Sequence, residues 1–393
     1  MIFNTLAYYV LFLIPASIVF RFAKPNIRPW ICALSGILFY IYFSVTAVGG
    51  VFGAFCVFIL VWESFFSRFY KKGNIFCRLG ICISILILFI FKYWNFATDL
   101  LIFGMKKNPI HWEKQFLPLG ISFFTFEFIH FAVDRYKGKV EKGTLGEYLA
   151  FIFFFPTMIA GPIKRFSDFV ECLRNPSTDI NKDWNRGITR ILYGLAKKFA
   201  IADFLTCLTD HLNVKDIALA RPPILLLWLF AYGIKIYVDF SAYSDIAIGS
   251  GRLFGIKIPE NFDWPYARTN ITDFWRHWHI SLYKWLVDYV FIPLGGSRGT
   301  KFSIYRNILL VMLVSGIWHG AGLNFVIWGL WHGVLLVLHR LWSEYGRPWP
   351  DTLLTRLVGW ILTFISVNIG WAFFVMDMST VIFYFRSLFI GKL

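Results

Sequence analysis

The sequence contains few charged residues. Of its 393 residues, 16% are Asp, Glu, Lys or Arg, whereas 58% are hydrophobic and the mean hydropathy is +0.60. Soluble globular domains carry about 25% charged residues and a smaller apolar fraction. The composition therefore excludes an ordinary soluble domain and predicts a membrane protein. The 45 Phe and 17 Trp are typical of packed membrane helices and of aromatic belts at the interfaces.

The sequence also lacks several patterns that would indicate other chemistry. Its six cysteines form no Cys-x-x-Cys pair, so neither a disulfide framework nor a zinc site is predicted. It has no Gly-x-Ser-x-Gly elbow, no phosphate-binding loop and no dinucleotide fingerprint. His277 and His279 would point to opposite sides of a helix, which argues against a two-histidine metal clamp. We expect no bound cofactor or metal.

The net charge is +16. In a membrane protein, Lys and Arg collect in cytoplasmic loops that face anionic lipid headgroups, so we expect the lipid bilayer as the partner of this charge and no nucleic acid. A basic cytoplasmic mouth would also attract a polyanionic donor such as a coenzyme A ester.

Apolar runs long enough to approach the membrane thickness occur along most of the chain. The N-terminal stretch lacks a basic region before its apolar run, so we expect a first spanning helix and no cleaved signal peptide. With a weaker candidate at Tyr148–Ile163 and a short one at Thr380–Ile390, roughly ten crossings are predicted. The clear candidates are Thr5–Phe20, Trp30–Val45, Val51–Phe66, Leu79–Trp94, Pro118–Val133, Pro223–Val238, Ile304–Trp318, Asn324–Leu341 and Arg356–Phe374.

Two regions depart from simple spanning helices. Basic loops place the N-terminus outside, but both flanks of Tyr148–Ile163 are basic and therefore cytoplasmic. With Pro156 and Pro162, this segment is predicted to enter the membrane and return beside a cavity. Asp239–Ser303 mixes charge, aromatics and glycine, and it predicts short amphipathic or re-entrant helices that hold a site. No soluble domain or repeat is evident, so residues 1–393 are expected to form one membrane domain.

The stretch "SGIWHGAGLNFVIWGLWHG" (315–333) contains two Trp-His-Gly triplets. His319 and His332 would not face one pocket from a single helix, and residues 321–324 are expected to separate two helices. His332 shares a helix face with His339, which suits a helix–helix seam. His319 instead closes an apolar helix and precedes small residues that leave room for a substrate, so it is the strongest candidate for chemistry.

Asp239 and Asp245 lie at the end of an apolar span. Three roles are open for these carboxylates: to orient a histidine, to pair with Arg276 or Lys284, or to lie in water. Ion pairing is the favoured interpretation.

Five ordered blocks lie within about residues 117–340. They are "PLGISFFTFEFIHFAVDRYKG" (118–138), "FFPTMIAGPI" (154–163), "IYVDFSAYSDIAIG" (236–249), "DFWRHWHISLYKWLVDYVFIPLGGSRG" (273–299) and the 315–333 stretch. These blocks strongly resemble the membrane-bound O-acyltransferase family. Their similarity is greatest to the bacterial branch that acetylates alginate, peptidoglycan and cellulose, with the teichoic-acid D-alanyl transferases more distant.

The resemblance implies an all-α multi-pass membrane protein, with helices around a central tunnel. It also implies that His319 is the catalytic base and that His279, in the Trp-His-x-Ser block, is the second family histidine. His279, Trp318 and Asn324 are the alternatives for stabilising an oxyanion. Asp239, Trp275 and Ser281 complete the expected substrate-binding or tunnel-lining set. We predict that His279 and His319 lie within about a helix diameter, roughly 10 Å, on one channel.

The expected function is transfer of an acyl group, most simply acetyl, to an extracytoplasmic polysaccharide or cell-wall polymer. The expected donor is acetyl-CoA or another cytoplasmic acyl thioester, and the expected partner is an extracytoplasmic acetyltransferase of the SGNH-hydrolase type or a membrane protein. The expected location is the bacterial cytoplasmic membrane. The alternatives are D-alanyl transfer from a carrier-protein thioester and passive transport of a small molecule. "PLGGSRG" (293–299) favours the acetylating branch. Members of the alginate branch usually have further helices after the second Trp-His-Gly, and this sequence has fewer. We therefore expect no particular acceptor polymer.

Overall fold

A computed structural model describes residues 2–48, 50–102, 110–112, 117–346 and 349–390. Regular secondary structure in these ranges is helical throughout. The α-helices are α1 (Ile14–Phe22), α2 (Arg28–Val48), α3 (Gly50–Phe66), α4 (Ile75–Leu88), α5 (Trp94–Leu101), α6 (Ile121–Tyr136), α7 (Leu145–Ile152), α8 (Phe166–Arg174), α9 (Ile180–Ala196), α10 (Asp203–Thr209), α11 (Val214–Leu219), α12 (Pro222–Leu253), α13 (Ile271–His277), α14 (Ile280–Leu286), α15 (Lys301–His319), α16 (Leu323–Tyr345), α17 (Leu353–Val375) and α18 (Met378–Phe389).

Several of these helices are long and apolar enough to cross a membrane. Five meet that test within the described ranges, namely Ile75–Leu101, Pro222–Leu253, Lys301–His319, Leu323–Tyr345 and Leu353–Val375. Each of the nine clear candidates from the sequence coincides with helical structure. The all-α, multi-pass class is therefore confirmed. The total of about ten crossings and the central tunnel stay predictions.

The chain forms two compact units. The first comprises Met1–Leu195 and Tyr243–Pro259, and the second comprises Ala196–Ala242 and Glu260–Leu393. Each unit has its own apolar core, which in the second unit is rich in tryptophan, with Trp275, Trp278, Trp328 and Trp371 buried. The single domain expected over 1–393 stays a prediction.

The boundary predicted at Asp239 is wrong. Helix α12 does not end near Val238 but continues without interruption to Leu253. The segment Asp239–Leu253 contains no proline that would end the helix. Its buried polar side chains form hydrogen bonds and ion pairs with other residues, which offsets the cost of burying them. In the first unit, Asp245 pairs with Arg190 at 2.6 Å and Ser250 accepts a hydrogen bond from Tyr8 at 2.9 Å. Short helices begin only after this extension, at α13 and α14.

The segment Tyr148–Ile163 is broken as its prolines predict. Helix α7 ends at Ile152, and the chain from Phe153 to Ile163 follows turns while most of its side chains stay buried. A capping box at Thr144 and Glu147 fixes the start of α7. The backbone agrees with a segment that does not cross the membrane as one helix, and its return to the same side stays a prediction.

Helices α15 and α16 form a closely packed pair in the second unit. A Cβ atom added at Gly316 would lie 2.3 Å from the carbonyl oxygen of Phe325, and one at Gly329 would lie 2.4 Å from that of Met312. Only glycine permits such an approach of two backbones. This contact fixes the end of α15, which carries His319, against α16.

Candidate active site

His319 is the last residue of α15. Thr300 is the N-cap of this helix, and its hydroxyl accepts a hydrogen bond from the backbone N–H of Ser303. The helix ends because Gly320 continues in extended conformation. The imidazole is half-buried among aromatic rings. Its centroid lies 4.5 Å from that of Trp318 and 5.0 Å from those of Trp328 and Phe374. The ring is therefore held in one place by packing.

His279 lies at the start of the short helix α14 and is 2% exposed. Its backbone has φ +45°, in the left-handed region that non-glycine residues rarely adopt. Such a conformation costs on the order of 1–3 kcal/mol and is typically found at functional sites. The imidazole packs against Phe240, with a centroid separation of 4.7 Å.

The tautomer of His279 follows from its hydrogen bonds. Its Nδ1 lies 3.2 Å from the Oδ1 of Asn261. The backbone N–H of Ser281, which can only donate, binds the same Oδ1 at 3.3 Å, so this atom is the amide oxygen. An amide oxygen only accepts. Nδ1 of His279 therefore carries the proton, and Nε2 carries a lone pair in the neutral ring.

The neutral form of His279 is strongly favoured. Burial lowers its pKa to about 3, because a charged imidazolium would lose its hydration, and a backbone hydrogen bond opposes the shift only in part. Nε2 is buried and makes no hydrogen bond with the residues that the structure describes. His279 is therefore neutral at physiological pH, and its Nε2 can accept a hydrogen bond from a substrate group.

The indole of Trp318 contacts both histidines. Its ring centroid lies 6.3 Å from that of His279 and 4.5 Å from that of His319. The distance between the two imidazole centroids therefore cannot exceed the sum of these two separations. That upper bound is close to the predicted distance of about one helix diameter, roughly 10 Å. A continuous channel past both rings stays a prediction.

The second Trp-His-Gly has a different environment. His332 is fully buried, and its ring centroid lies 4.9 Å from that of Trp275 and 5.1 Å from that of Trp328. Neither nitrogen of His332 hydrogen-bonds to another residue of the described ranges. The side chain is enclosed by packing, as its position on a helix seam suggested.

Three other candidates have structural partners. Asn324 donates through Nδ2 to the carbonyl oxygens of Phe373 and Met376, at 3.1 and 3.3 Å, so both of its N–H groups are engaged. The hydroxyl of Ser281 donates to Oδ1 of Asn261 at 2.7 Å. Asp239 pairs with Lys198 at 2.8 Å and not with either of the cations considered from the sequence. Of the three oxyanion donors considered, Trp318 fits best, because Nε2 of His279 is an acceptor.

A sequence model of the membrane-bound O-acyltransferase family matches residues 127–382, which include both histidines. The chain belongs to this family. It is 42% identical over 304 residues to the probable alginate O-acetylase AlgI of Pseudomonas aeruginosa, covering 75% of this chain and 56% of that protein.

Two further relatives define the range of the similarity. The chain is 34% identical to the peptidoglycan O-acetyltransferase of Helicobacter pylori, over 75% of this chain and 61% of that protein. It is 29% identical to the teichoic acid D-alanyltransferase of Bacillus subtilis, over 82% of this chain and 84% of that protein. The chain spans about three fifths of the length of the alginate and peptidoglycan relatives.

This membrane-bound O-acyltransferase family member has a cavity of about 590 Å³ in the second unit, whose wall does not include His279 or His319. Trp275 forms part of its wall, and the same ring contacts Trp328, which in turn contacts His319. The other wall residues include the charged groups Asp273, Arg276, Arg340 and Glu344. Ligand pockets commonly measure roughly 300–1,000 Å³, so the cavity is large enough for a small-molecule arm.

Neither the family resemblance nor the residue pattern indicates Asn261 as a site residue. It lies in the irregular segment before α13, it is fully buried, and no periodicity distinguishes it from its neighbours. Its only sequence signal is an amide side chain within the polar segment expected to hold the site. Among the described residues, no group of three His, Cys, Asp or Glu side chains could hold a metal ion.

Proposed function

We propose that this protein transfers an acetyl group from a thioester donor to a hydroxyl of a polysaccharide or cell-wall polymer, with His319 as general base. The observation that carries the proposal is the pair of imidazoles on one indole, within the region that matches the family model. General base catalysis needs a neutral imidazole at physiological pH.

The reaction balances without a cofactor. The acceptor hydroxyl loses its proton to His319, and its oxygen attacks the thioester carbonyl. The new C–O bond forms as the C–S bond breaks, and the proton ends on the leaving thiolate. The indole N–H of Trp318 is our choice for stabilising the oxyanion. Neutral His279 can orient the acceptor hydroxyl by accepting a hydrogen bond through Nε2.

The donor enters, in this proposal, through the cavity lined by Trp275, Arg276 and Arg340. The end of the α15–α16 pair carries the cations Lys301, Arg306 and Arg340, and Glu344 pairs with Lys301 at 3.6 Å and with Arg340 at 2.7 Å. The positive-inside rule assigns this end to the cytoplasm. A coenzyme A ester cannot bring its phosphates across the apolar core, but its acyl arm can extend inward. Acetyl-CoA is the simplest such donor.

Acetyl transfer is favoured over D-alanyl transfer because the relatives named for O-acetylation are 42% and 34% identical, against 29% for the D-alanyltransferase. We further propose a location in the bacterial cytoplasmic membrane. An extracytoplasmic acetyltransferase of the SGNH-hydrolase type would then be a partner that receives the acetyl group or hands it to the polymer.

The test uses the purified full chain in lipid nanodiscs with radiolabelled acetyl-CoA and deacetylated alginate or peptidoglycan as acceptors. His319→Ala should reduce transfer by about 10²–10⁴-fold at equal amounts of folded protein. His211→Ala is the matched control, since His211 is partly exposed and pairs with Asp216 outside the site. Transfer from a D-alanyl carrier-protein thioester but not from acetyl-CoA would instead support the second family activity.

His332→Ala separates packing from chemistry. Removing a fully buried ring should destabilise the fold by about 2–5 kcal/mol, yet the folded fraction should lose much less specific activity than His319→Ala does. If His319→Ala retains more than about a tenth of the wild-type rate, His319 is not the base and the proposed mechanism is wrong.

A further inference from the structure

Asn261 binds three consecutive residues at the start of α14. Its Oδ1 accepts hydrogen bonds from Nδ1 of His279, from the backbone N–H of Ser281 and from the Ser281 hydroxyl, at 3.2, 3.3 and 2.7 Å. Its backbone carbonyl oxygen accepts from the N–H of Ile280 at 2.8 Å. Main chain and side chain of this one residue thus hold the whole segment that presents His279.

These bonds explain how the unusual backbone at His279 persists. A non-glycine residue in the left-handed region is retained only where its surroundings over-determine it. The amide of Asn261 constrains the residues on the C-terminal side of His279 and its side chain at the same time. The imidazole is therefore fixed in both position and rotation.

The chemical type of the partner matters as much as its position. A carboxylate at this place would stabilise the imidazolium and favour the charged ring, whereas a neutral amide oxygen orients the ring without charging it. Other titratable groups lie on the elements that pack against His279, but they are separated from it by aromatic rings, paired elsewhere, or located on the exposed side of the segment. They are His319 beside Trp318, Asp239 beside Phe240 and paired with Lys198, and Glu260 and Asp263 beside Asn261.

We propose that Asn261 is a positioning residue for acyl transfer: it holds His279 as the neutral Nδ1–H tautomer, so that Nε2 presents a lone pair that accepts a hydrogen bond from the acceptor hydroxyl. This inference rests on the proposed function and adds a residue to it. Asn261 itself touches neither donor nor acceptor in this scheme.

The test compares Asn261→Ala and Asn261→Asp in nanodiscs, with acetyl-CoA as the donor and kcat and KM measured from pH 4 to pH 9. Asn261→Ala should lower kcat by about 10²-fold and leave KM for acetyl-CoA within about threefold. Asn261→Asp keeps an oxygen acceptor at the same place. It should restore part of kcat near neutral pH and add a loss of activity between about pH 4 and pH 6 that the wild type lacks, because the carboxylate raises the pKa of His279 by about 1–3 units.

Asn74→Asp is the matched control for the added charge. Asn74 caps α4 by accepting a hydrogen bond from the backbone N–H of Phe76 at 3.1 Å, and Asp caps a helix equally well. Its pH profile should be that of the wild type. If Asn261→Asp also shows the wild-type profile, or if Asn261→Ala changes only the yield of folded protein, the positioning role is wrong.

Failure of this inference is distinguishable from failure of the proposed function. If the wild type transfers acetyl groups and His319→Ala does not, the proposed function stands, and the two Asn261 variants alone decide the inference. Should Asn261→Ala not fold, the pH profile of Asn261→Asp still gives the decision. If the wild type transfers no acyl group, or His319→Ala is active, the proposed function itself is overturned.

Discussion

Replacing Gly329 with alanine tests whether the α15–α16 contact positions His319. A Cβ at residue 329 would lie 2.4 Å from the carbonyl oxygen of Met312 and 3.3 Å from Cα of Gly316. Both neighbours are backbone atoms, which cannot move unless the helix moves. To reach even 3.0 Å, below which real Cβ contacts essentially never occur, the two helices must separate locally by about 0.6 Å.

The cost of Gly329→Ala follows from two opposing effects. Overpacking of this kind costs about 1–3 kcal/mol, whereas alanine favours the helix over glycine by about 1 kcal/mol. We therefore expect a net loss of up to about 2 kcal/mol. The larger effect should be on activity, because Trp328 precedes the substituted residue and its ring contacts His319. A misplacement of about 1 Å can cost on the order of 10²-fold in rate, so we expect a loss of at least tenfold.

Gly333→Ala, one turn later on the same helix, is the matched control. The nearest neighbour of its added Cβ is Leu309 Cδ2 at 3.1 Å, the end of a flexible side chain that can rotate away, and Met312 Cβ and Leu309 Cα follow at 3.3 and 3.4 Å. Its stability and activity should stay close to those of the wild type. Thermal unfolding in nanodiscs and acetyl transfer report the two effects. Equal behaviour of Gly329→Ala and Gly333→Ala would refute the argument.

Two further predictions concern His279 and Asp239. Because burial lowers the pKa of His279 to about 3, the unfolded chain binds more protons than the folded chain below about pH 6.5. The contribution of His279 to stability should therefore fall as the pH falls from 6.5 towards 3, by up to about 1.4 kcal/mol per unit. His279→Gln should show a shallower decline in melting temperature, and an unchanged decline would contradict the burial argument. Asp239→Asn should change acetyl transfer by less than about twofold, since Lys198 keeps its second partner, Asp203, at 2.9 Å; a loss as large as that of His319→Ala would place Asp239 in the reaction.

The sequence by itself determined the helices and the most prominent histidine. Apolar length and helix-breaking residues are local properties, so the predicted span Ile304–Trp318 matches α15 closely, and the prolines near Pro156 mark where regular helix ends. The same locality identified His319, because glycine and small residues follow it directly in the chain.

Only the tertiary structure decided the partners of the polar residues. Asp239 lies on an uninterrupted helix and pairs with Lys198, while the amide of Asn324 is engaged by the end of α17. Asn261 and His279 are separated by seventeen residues, and no periodicity relates them. A tautomer depends on which atom lies opposite a ring nitrogen, and that is a property of long-range packing. The sequence therefore indicated which residues carry the chemistry, and the fold decided in which protonation state His279 is held.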